Sequence, residues 1–187
     1  MEDIQLIVKA SNFAAIKHIN QRRKDKNKSP YINHPLGVTN ILTSEGQIFD
    51  VNVLVAALLH DTVEDTDTTF EELKKEFGEK IANIVMEVTD DKSLSKVRRK
   101  QLQIEKAKGK SLEAKLVKLA DKLYNCRDLL STPPSTWAVG RIQGYSLLYI
   151  AKCNIKKRRM LMDEVFIGGT QRKQQQFRNF TGFIIRW

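Results

Sequence analysis

Residues 53–59, Val-Leu-Val-Ala-Ala-Leu-Leu, are apolar without interruption and run directly into His60 and Asp61. Asp50 stands where it can cap a helix that begins just ahead of them. A helix that is apolar around its whole circumference has no face to offer water, so other elements must cover it on every side. The seven residues fall far short of the ~20 that a membrane-spanning helix needs. The covering layers are therefore expected to be protein. A chain of 187 residues can supply them, because a domain of about 150 residues already buries roughly 70% of its unfolded surface.

The remaining periodicity is helical. Leu6, Ala10, Phe13 and Ala14 predict a first helix over about 3–18. A polar, basic loop over 21–28 is closed by Ser29-Pro30. Pro35 suits the first turn of a helix that Leu36, Thr39, Asn40 and Ile41 carry to about 44. Thr69-Phe70-Glu71-Glu72 has the form of a capping box, and Gly78 stops that helix. Further helices fit 81–87, 96–108 and 112–130, with another at 136–151 after Pro133-Pro134. Strand candidates such as Phe183-Ile184-Ile185 have no partner of matching alternation. The expectation is an all-α domain over 1–150, followed by a basic tail over 151–187. The tail carries Lys156-Lys157-Arg158-Arg159, Gly168-Gly169 and Gln174-Gln175-Gln176 without a sustained apolar stripe. It is expected to pack loosely and to contribute no catalytic group.

The formal net charge of +10 is concentrated, because residues 129–187 carry +8 of it. A basic segment can bind nucleic acid, yet no finger spacing, RNP-type aromatic motif or basic zipper accompanies it. Nucleic acid is not expected as the main partner. Cys126 and Cys153 make neither a disulfide framework nor a CxxC metal site. With the acidic opening Met1-Glu2-Asp3 and no apolar leader, the expectation is a reduced, cytoplasmic protein with no membrane partner.

The histidines are His18, His34 and His60. Burial of the apolar helix carries His60 and Asp61 to the edge of a dry core, where a charge must be paired or bound to a metal. Asp61, Glu64, Asp65 and Asp67 put four carboxylates within seven residues. A divalent cation relieves their repulsion, and so does an exposed acidic turn. Asp121 sits among Leu116, Leu119, Ala120, Leu123 and Tyr124 on an apolar helix face, with Asn125 one turn on. A metal satisfies it, as would a salt bridge to Lys118 or Lys122. His34 is read as a loop residue fixed by Pro35. Together His34, His60, Asp61 and Asp121 form a two-nitrogen, two-oxygen set suited to Mn²⁺, Zn²⁺ or Fe²⁺. Such an ion activates water near neutral pH and polarises a phosphoryl oxygen. His18 is expected to cap the first helix or lie at the surface. Cys126, about 140° round the helix from Asp121, is expected to face away from the metal.

The strings Tyr31-Ile32-Asn33-His34-Pro35, His60-Asp61-Thr62-Val63-Glu64-Asp65-Thr66 and Lys118-Leu119-Ala120-Asp121-Lys122-Leu123-Tyr124-Asn125 occur in that order. They resemble the RelA/SpoT-type hydrolase domain of the HD superfamily of metal-dependent phosphohydrolases, and more narrowly its small, hydrolase-only metazoan branch. The resemblance covers about residues 5–150 and ends after about Ile150. It implies an HD-type helical bundle with a metal site between helices, and one Mn²⁺ held by His34, His60, Asp61 and Asp121. It also implies a guanosine nucleotide substrate, guanosine tetra- or pentaphosphate, that loses its 3′-pyrophosphate. Glu64 and Asp65 match the family's catalytic acidic pair. By spacing, Glu64 stands one helical turn beyond His60, close enough to orient the attacking water. The resemblance places Arg23 and Lys24 near the substrate. Tyr124 and Asn125 line the nucleotide pocket, with Tyr31 beside the base or in the core. Lys96, Arg141 and Tyr145 are further contacts. The same site suits an NADPH 2′-phosphatase or a nucleotide-sensing module without turnover. Glu64-Asp65 speaks against the sensor, since binding alone needs no acid–base pair.

Overall fold

The computed structural model describes residues 2–131, which are helical in every regular element and form no strand. In chain order the helices are α1 (Glu2–Lys17), α2 (Asn33–Asn40), α3 (Val51–Leu59), α4 (Thr62–Asp65), α5 (Phe70–Phe77), α6 (Glu79–Val88), α7 (Lys96–Glu105) and α8 (Leu112–Ser131). A π-helical turn, Ile41–Glu45, extends α2. The all-α expectation and the order of helices hold over this span. The helix expected at 136–151, the basic tail, Cys153, Arg141 and Tyr145 lie outside the described residues. No described helix is long and apolar enough to cross a membrane.

Helix α3 is the axle. It is packed against α1, α2, α6 and α8, and all seven residues of the apolar run are buried. Burying a leucine or valine fully contributes about 1.5–3 kcal/mol, so this one run anchors the bundle. Asp50 caps α3, its carboxylate accepting from the Asn52 amide at 2.9 Å. On the facing surface of α1, Ala10 and Ala14 are fully buried. Thr69 caps α5 by accepting from the Glu72 amide at 3.2 Å. Gly78 turns the chain into α6 with φ +87°, a conformation in which a side chain is strained.

The helical course breaks at His60. The last carbonyls of a helix have no partner within it, and here two side chains supply one. His60 Nδ1 donates to Ala57 O at 2.7 Å, and Thr62 Oγ1 donates to Leu59 O at 2.7 Å. The next turn, α4, is a separate element that carries Glu64 and Asp65. The apolar helix thus ends at His60, as its sequence suggests, and the helical spacing of Glu64 from His60 is loosened because Glu64 stands on a separate turn.

His34 is also relocated. Helix α2 begins two residues before Pro35, so His34 lies in its first turn and not in a loop. Proline is tolerated there because first-turn amides have no helical acceptor anyway. The loop ahead of α2 closes on itself. Tyr31 N donates to Gln21 O at 3.2 Å and Arg23 N donates to Ser29 O at 2.8 Å, around an isolated Arg22–Pro30 bridge.

Candidate metal centre

Three elements converge beside the C-terminal end of the axle. The first turn of α2 brings His34, the end of α3 brings His60 and Asp61, and the middle of α8 brings Asp121. Ligand atoms of His34, His60 and Asp121 lie within 4.8 Å of one another. His34 Nε2 is 3.3 Å from Asp121 Oδ1, and His60 Nε2 is 3.9 Å from the same oxygen. Asp61 Oδ2 joins them at 3.1 Å from His60 Nε2 and 3.5 Å from His34 Nε2. Two bonds of about 2.1 Å meeting at a metal put their ligand atoms roughly 3.0–3.4 Å apart, so one divalent cation fits this spacing with small adjustments.

The chemistry of the donors fits as well. The Ala57 carbonyl can only accept, so His60 Nδ1 carries a hydrogen and Nε2 is the nitrogen free to coordinate. Buried Nε2 of His60 has no properly directed hydrogen-bond partner. An unpaired buried polar atom costs free energy unless something binds it. Burial pushes both imidazoles toward their neutral forms. At His34 burial prevails and lowers the pKa. At His60 the charges of Asp61 and Asp121 outweigh burial and raise it to about 9, so a cation binding there displaces a proton. Burial alone would raise Asp61 and Asp121. The His60 charge at Asp61, and the Lys122 charge at Asp121, instead hold both carboxyls well below their ordinary range. Lys122 Nζ stands 3.2 Å from Asp121 Oδ2, whereas Lys118 donates to Val88 O at 2.6 Å. Of the two salt-bridge partners weighed for Asp121, Lys122 is the one in place.

Around this quartet the expected residues divide. Tyr31 donates its hydroxyl to Asp61 Oδ2 at 2.6 Å, which steadies a candidate ligand directly. Arg23 donates to Asn125 Oδ1 at 2.9 Å and to Asp128 Oδ2 at 2.7 Å. Its guanidinium lies 5.7 Å from the ring centres of both Tyr31 and Tyr124, where it gains cation–π attraction. Asn125 in turn donates to Asp121 Oδ1. Lys24 and Lys96 are exposed and make no ion pair with another described residue. Arg99, one turn beyond Lys96, does approach, at 3.6 Å from Glu64 Oε1. Glu64 Oε2 accepts from the Asp90 amide at 3.1 Å, and burial raises the Glu64 pKa despite that hydrogen bond. Asp65 is held by Lys92 and by Gln21, whose Nε2 donates to Oδ2 at 3.1 Å.

His18 contradicts the cap-or-surface expectation. It is 2% exposed and lies against Tyr31 at 4.7 Å between ring centres. Sequence reasoning also passed over Gln21, Lys92, Arg99 and Asp128. The available signal was spacing: Asp128 lies seven residues beyond Asp121, on the same helix face. Gly37 is a further positional requirement, since a Cβ there would fall 2.0 Å from Tyr124 Cε2. The Tyr124 ring is hemmed in by His34, at 5.0 Å, and by Arg23. Gly37→Ala is expected to cost about 1–3 kcal/mol, the usual range for overpacking, read as a lower urea midpoint at unchanged m-value.

The sequence model of the HD domain family matches residues 10–142. The chain belongs to the HD-domain family. This HD domain is 62% identical over 143 residues to the Xenopus tropicalis protein named guanosine-3′,5′-bis(diphosphate) 3′-pyrophosphohydrolase MESH1, an alignment covering 76% of this chain and 80% of that protein. It is 58% identical over 139 residues to the Homo sapiens protein of the same name, covering 74% and 78%. A solved structure of a metazoan ortholog of SpoT, which hydrolyzes ppGpp and plays a role in starvation responses, matches with a TM-score of 0.76 and 42% identity. That match covers 97% of this chain and 95% of the other. The HD domain thus has the helical fold and the candidate divalent-metal site that its residues imply.

Proposed function

We propose that this HD domain hydrolyses guanosine 3′,5′-bis(diphosphate) to GDP and diphosphate, with Mn²⁺ at the site formed by His34, His60, Asp61 and Asp121. The observation that carries the reading is the convergence of these four donors with the Glu64-Asp65 pair one short turn away. The names of relatives at 62% and 58% identity support the substrate. The mixed imidazole and carboxylate set supports a first-row ion such as Mn²⁺. When bound, a divalent cation polarises a phosphoryl oxygen and makes water more acidic.

The protein groups do the rest. Water attacks the phosphorus next to the ribose 3′-oxygen, the bond between them breaks, and the 3′-oxygen leaves as a hydroxyl, the proton that water gives up to Glu64 balancing the one it gains. Glu64 takes the proton from the attacking water, a task helped by the burial that raises its pKa toward the working range. Asp65, fixed from two sides, shares the orientation of that water. Arg23 offers a guanidinium already aimed by Asp128 and Asn125, and a planar fork of donors suits a phosphate. Tyr124 and Asn125 border the nucleotide on the α8 side. Lys24, Lys96, Arg141 and Tyr145 are assigned to substrate by resemblance alone.

The test is release of pyrophosphate by the purified chain from a panel of nucleotides with added Mn²⁺. Pyrophosphate from guanosine tetraphosphate is the expected result. Orthophosphate from NADPH instead would make the chain a 2′-phosphatase on the same site. Neutralising Arg23 and Lys24 together, with glutamine at both, is expected to raise KM more than it lowers kcat, because ground-state and transition-state phosphates are held alike. Steady-state kinetics at low and high salt measures this.

A further inference from the structure

We infer that His18 and Gln21 form a hydrogen-bonded strut that positions Asp65, and that His18 also backs Asp61 through Tyr31; the inference rests on the role proposed above for Asp65. His18 Nδ1 lies 2.7 Å from Gln21 Oε1, and Gln21 Nε2 donates to Asp65 Oδ2 at 3.1 Å. The direction of this chain is determined. A carboxylate only accepts, so the amide nitrogen of Gln21 must face Asp65. The amide oxygen then faces the ring and can only accept, so His18 Nδ1 carries the hydrogen.

The same two residues reach the second acidic group. The His18 ring lies 4.7 Å from the Tyr31 ring, and the Gln21 carbonyl accepts from the Tyr31 amide at 3.2 Å. Tyr31 donates to Asp61 Oδ2 at 2.6 Å. The strut has a firm base, because His18 N donates to Ala14 O at 3.0 Å as a continuation of α1, and Gln21 N donates back to His18 O at 2.9 Å. Asp65 has a second partner, Lys92, whose side chain is half exposed.

Packing alone does not explain an imidazole at this place. His18 is 2% exposed, and its Nε2 is buried with no hydrogen-bond partner. A phenylalanine would fill the same space against Tyr31 without that unpaired nitrogen. What phenylalanine lacks is the Nδ1 hydrogen that aims Gln21. His18 and Gln21 are therefore positioning residues, which act through Asp65 and do not touch substrate.

The test uses the full chain with Mn²⁺ and guanosine tetraphosphate. Gln21→Met and His18→Phe are made singly and in an Asp65→Asn background. Each single variant is expected to lose about 10–100-fold in kcat, the usual scale for groups that orient a site residue. KM, Mn²⁺ stoichiometry and melting temperature should hold, and His18→Phe should not melt lower than the parent. In the Asp65→Asn background neither change should cost anything further, the signature of residues acting as one unit. Imidazole ¹⁵N spectra supply a readout independent of turnover: a His18 Nδ1–H signal that Gln21→Met shifts. Full kcat in Gln21→Met, an undiminished loss in the Asp65→Asn background, or a loss that tracks falling Mn²⁺ content or melting temperature would each overturn the strut. If Asp65→Asn is itself fully active, the catalytic reading of Asp65 fails and takes the strut with it. An inactive Asp65→Asn beside a normal Gln21→Met sinks the strut alone.

Discussion

Asp121→Ala is expected to lose stoichiometric Mn²⁺ and all measurable turnover. Asp121 is the donor that α8 contributes, 5% exposed, with Oδ1 facing both imidazoles at 3.3 and 3.9 Å. Alanine removes a coordinating oxygen together with a negative charge that opposes the desolvation of a cation. The remaining groups then include Lys122, which stands 3.2 Å from Asp121 Oδ2 in the parent, and its positive charge disfavours a second cation nearby. Elemental analysis of the purified variant gives the metal content. Melting with and without Mn²⁺ gives an independent reading, since a ligand at 100 times its Kd stabilises the folded state by about 2.7 kcal/mol. The parent should show such a rise, and Asp121→Ala should show none. Normal metal content in the variant would refute the four-donor assignment.

The second large effect is Glu64→Gln, expected to keep its Mn²⁺ and to lose at least ~100-fold in kcat, the lower end for a positioned acid or base. Glutamine preserves the acceptor that meets the Asp90 amide at 3.1 Å, so the side chain stays in place while its basicity is lost. The pH dependence follows from the shift at Glu64. Burial raises its pKa above the ordinary 4.5, so activity that needs the carboxylate form falls away at a higher pH than an exposed glutamate would give. The raised pKa also means that the folded state binds this proton more tightly than the unfolded chain. The stability Glu64 contributes is full at low pH and is lost as pH rises through the raised value. Once ionised, the buried carboxylate therefore works against folding, and Glu64→Gln is expected not to lower the melting temperature. Parallel loss of metal and activity would make Glu64 a ligand and overturn this division of roles.

Both variants touch residues that the sequence brought forward, but the two were legible for different reasons. Asp121 stood out as a charge on an apolar helix face, and burial of that face leaves it few solutions. Glu64 stood out by its spacing of one helical turn from His60, and the structure loosens that geometry by placing the two on separate elements. The helix stops because His60 and Thr62 turn back to the carbonyls of Ala57 and Leu59. Histidine and threonine in a sequence do not announce that they will cap a preceding turn. Arg23 shows the same division. Its place in a basic loop near a phosphate-handling motif could be read from the chain, whereas its anchorage to Asp128 depends on how that loop lies against α8.

His18 marks the boundary most clearly. Beside Lys17 at the end of a helix, it resembles any polar residue at a helix terminus, and nothing local says that Tyr31 will fold over it. What the amino-acid sequence by itself determined is the all-α class, the buried axle at Val53–Leu59, its cap at Asp50 and the delivery of His60-Asp61 to the core's edge. These follow from hydrophobic period and local hydrogen bonding, which act over a few neighbouring residues. Only the tertiary structure decided that His34 on α2 and Asp121 on α8 meet at that edge, that Glu64 and Asp65 sit on a turn of their own, and that His18 reaches Asp65 through Gln21. Those meetings depend on the angles at which α2 and α8 pack against α3, and such angles are set by the summed fit of many side chains that no local pattern encodes.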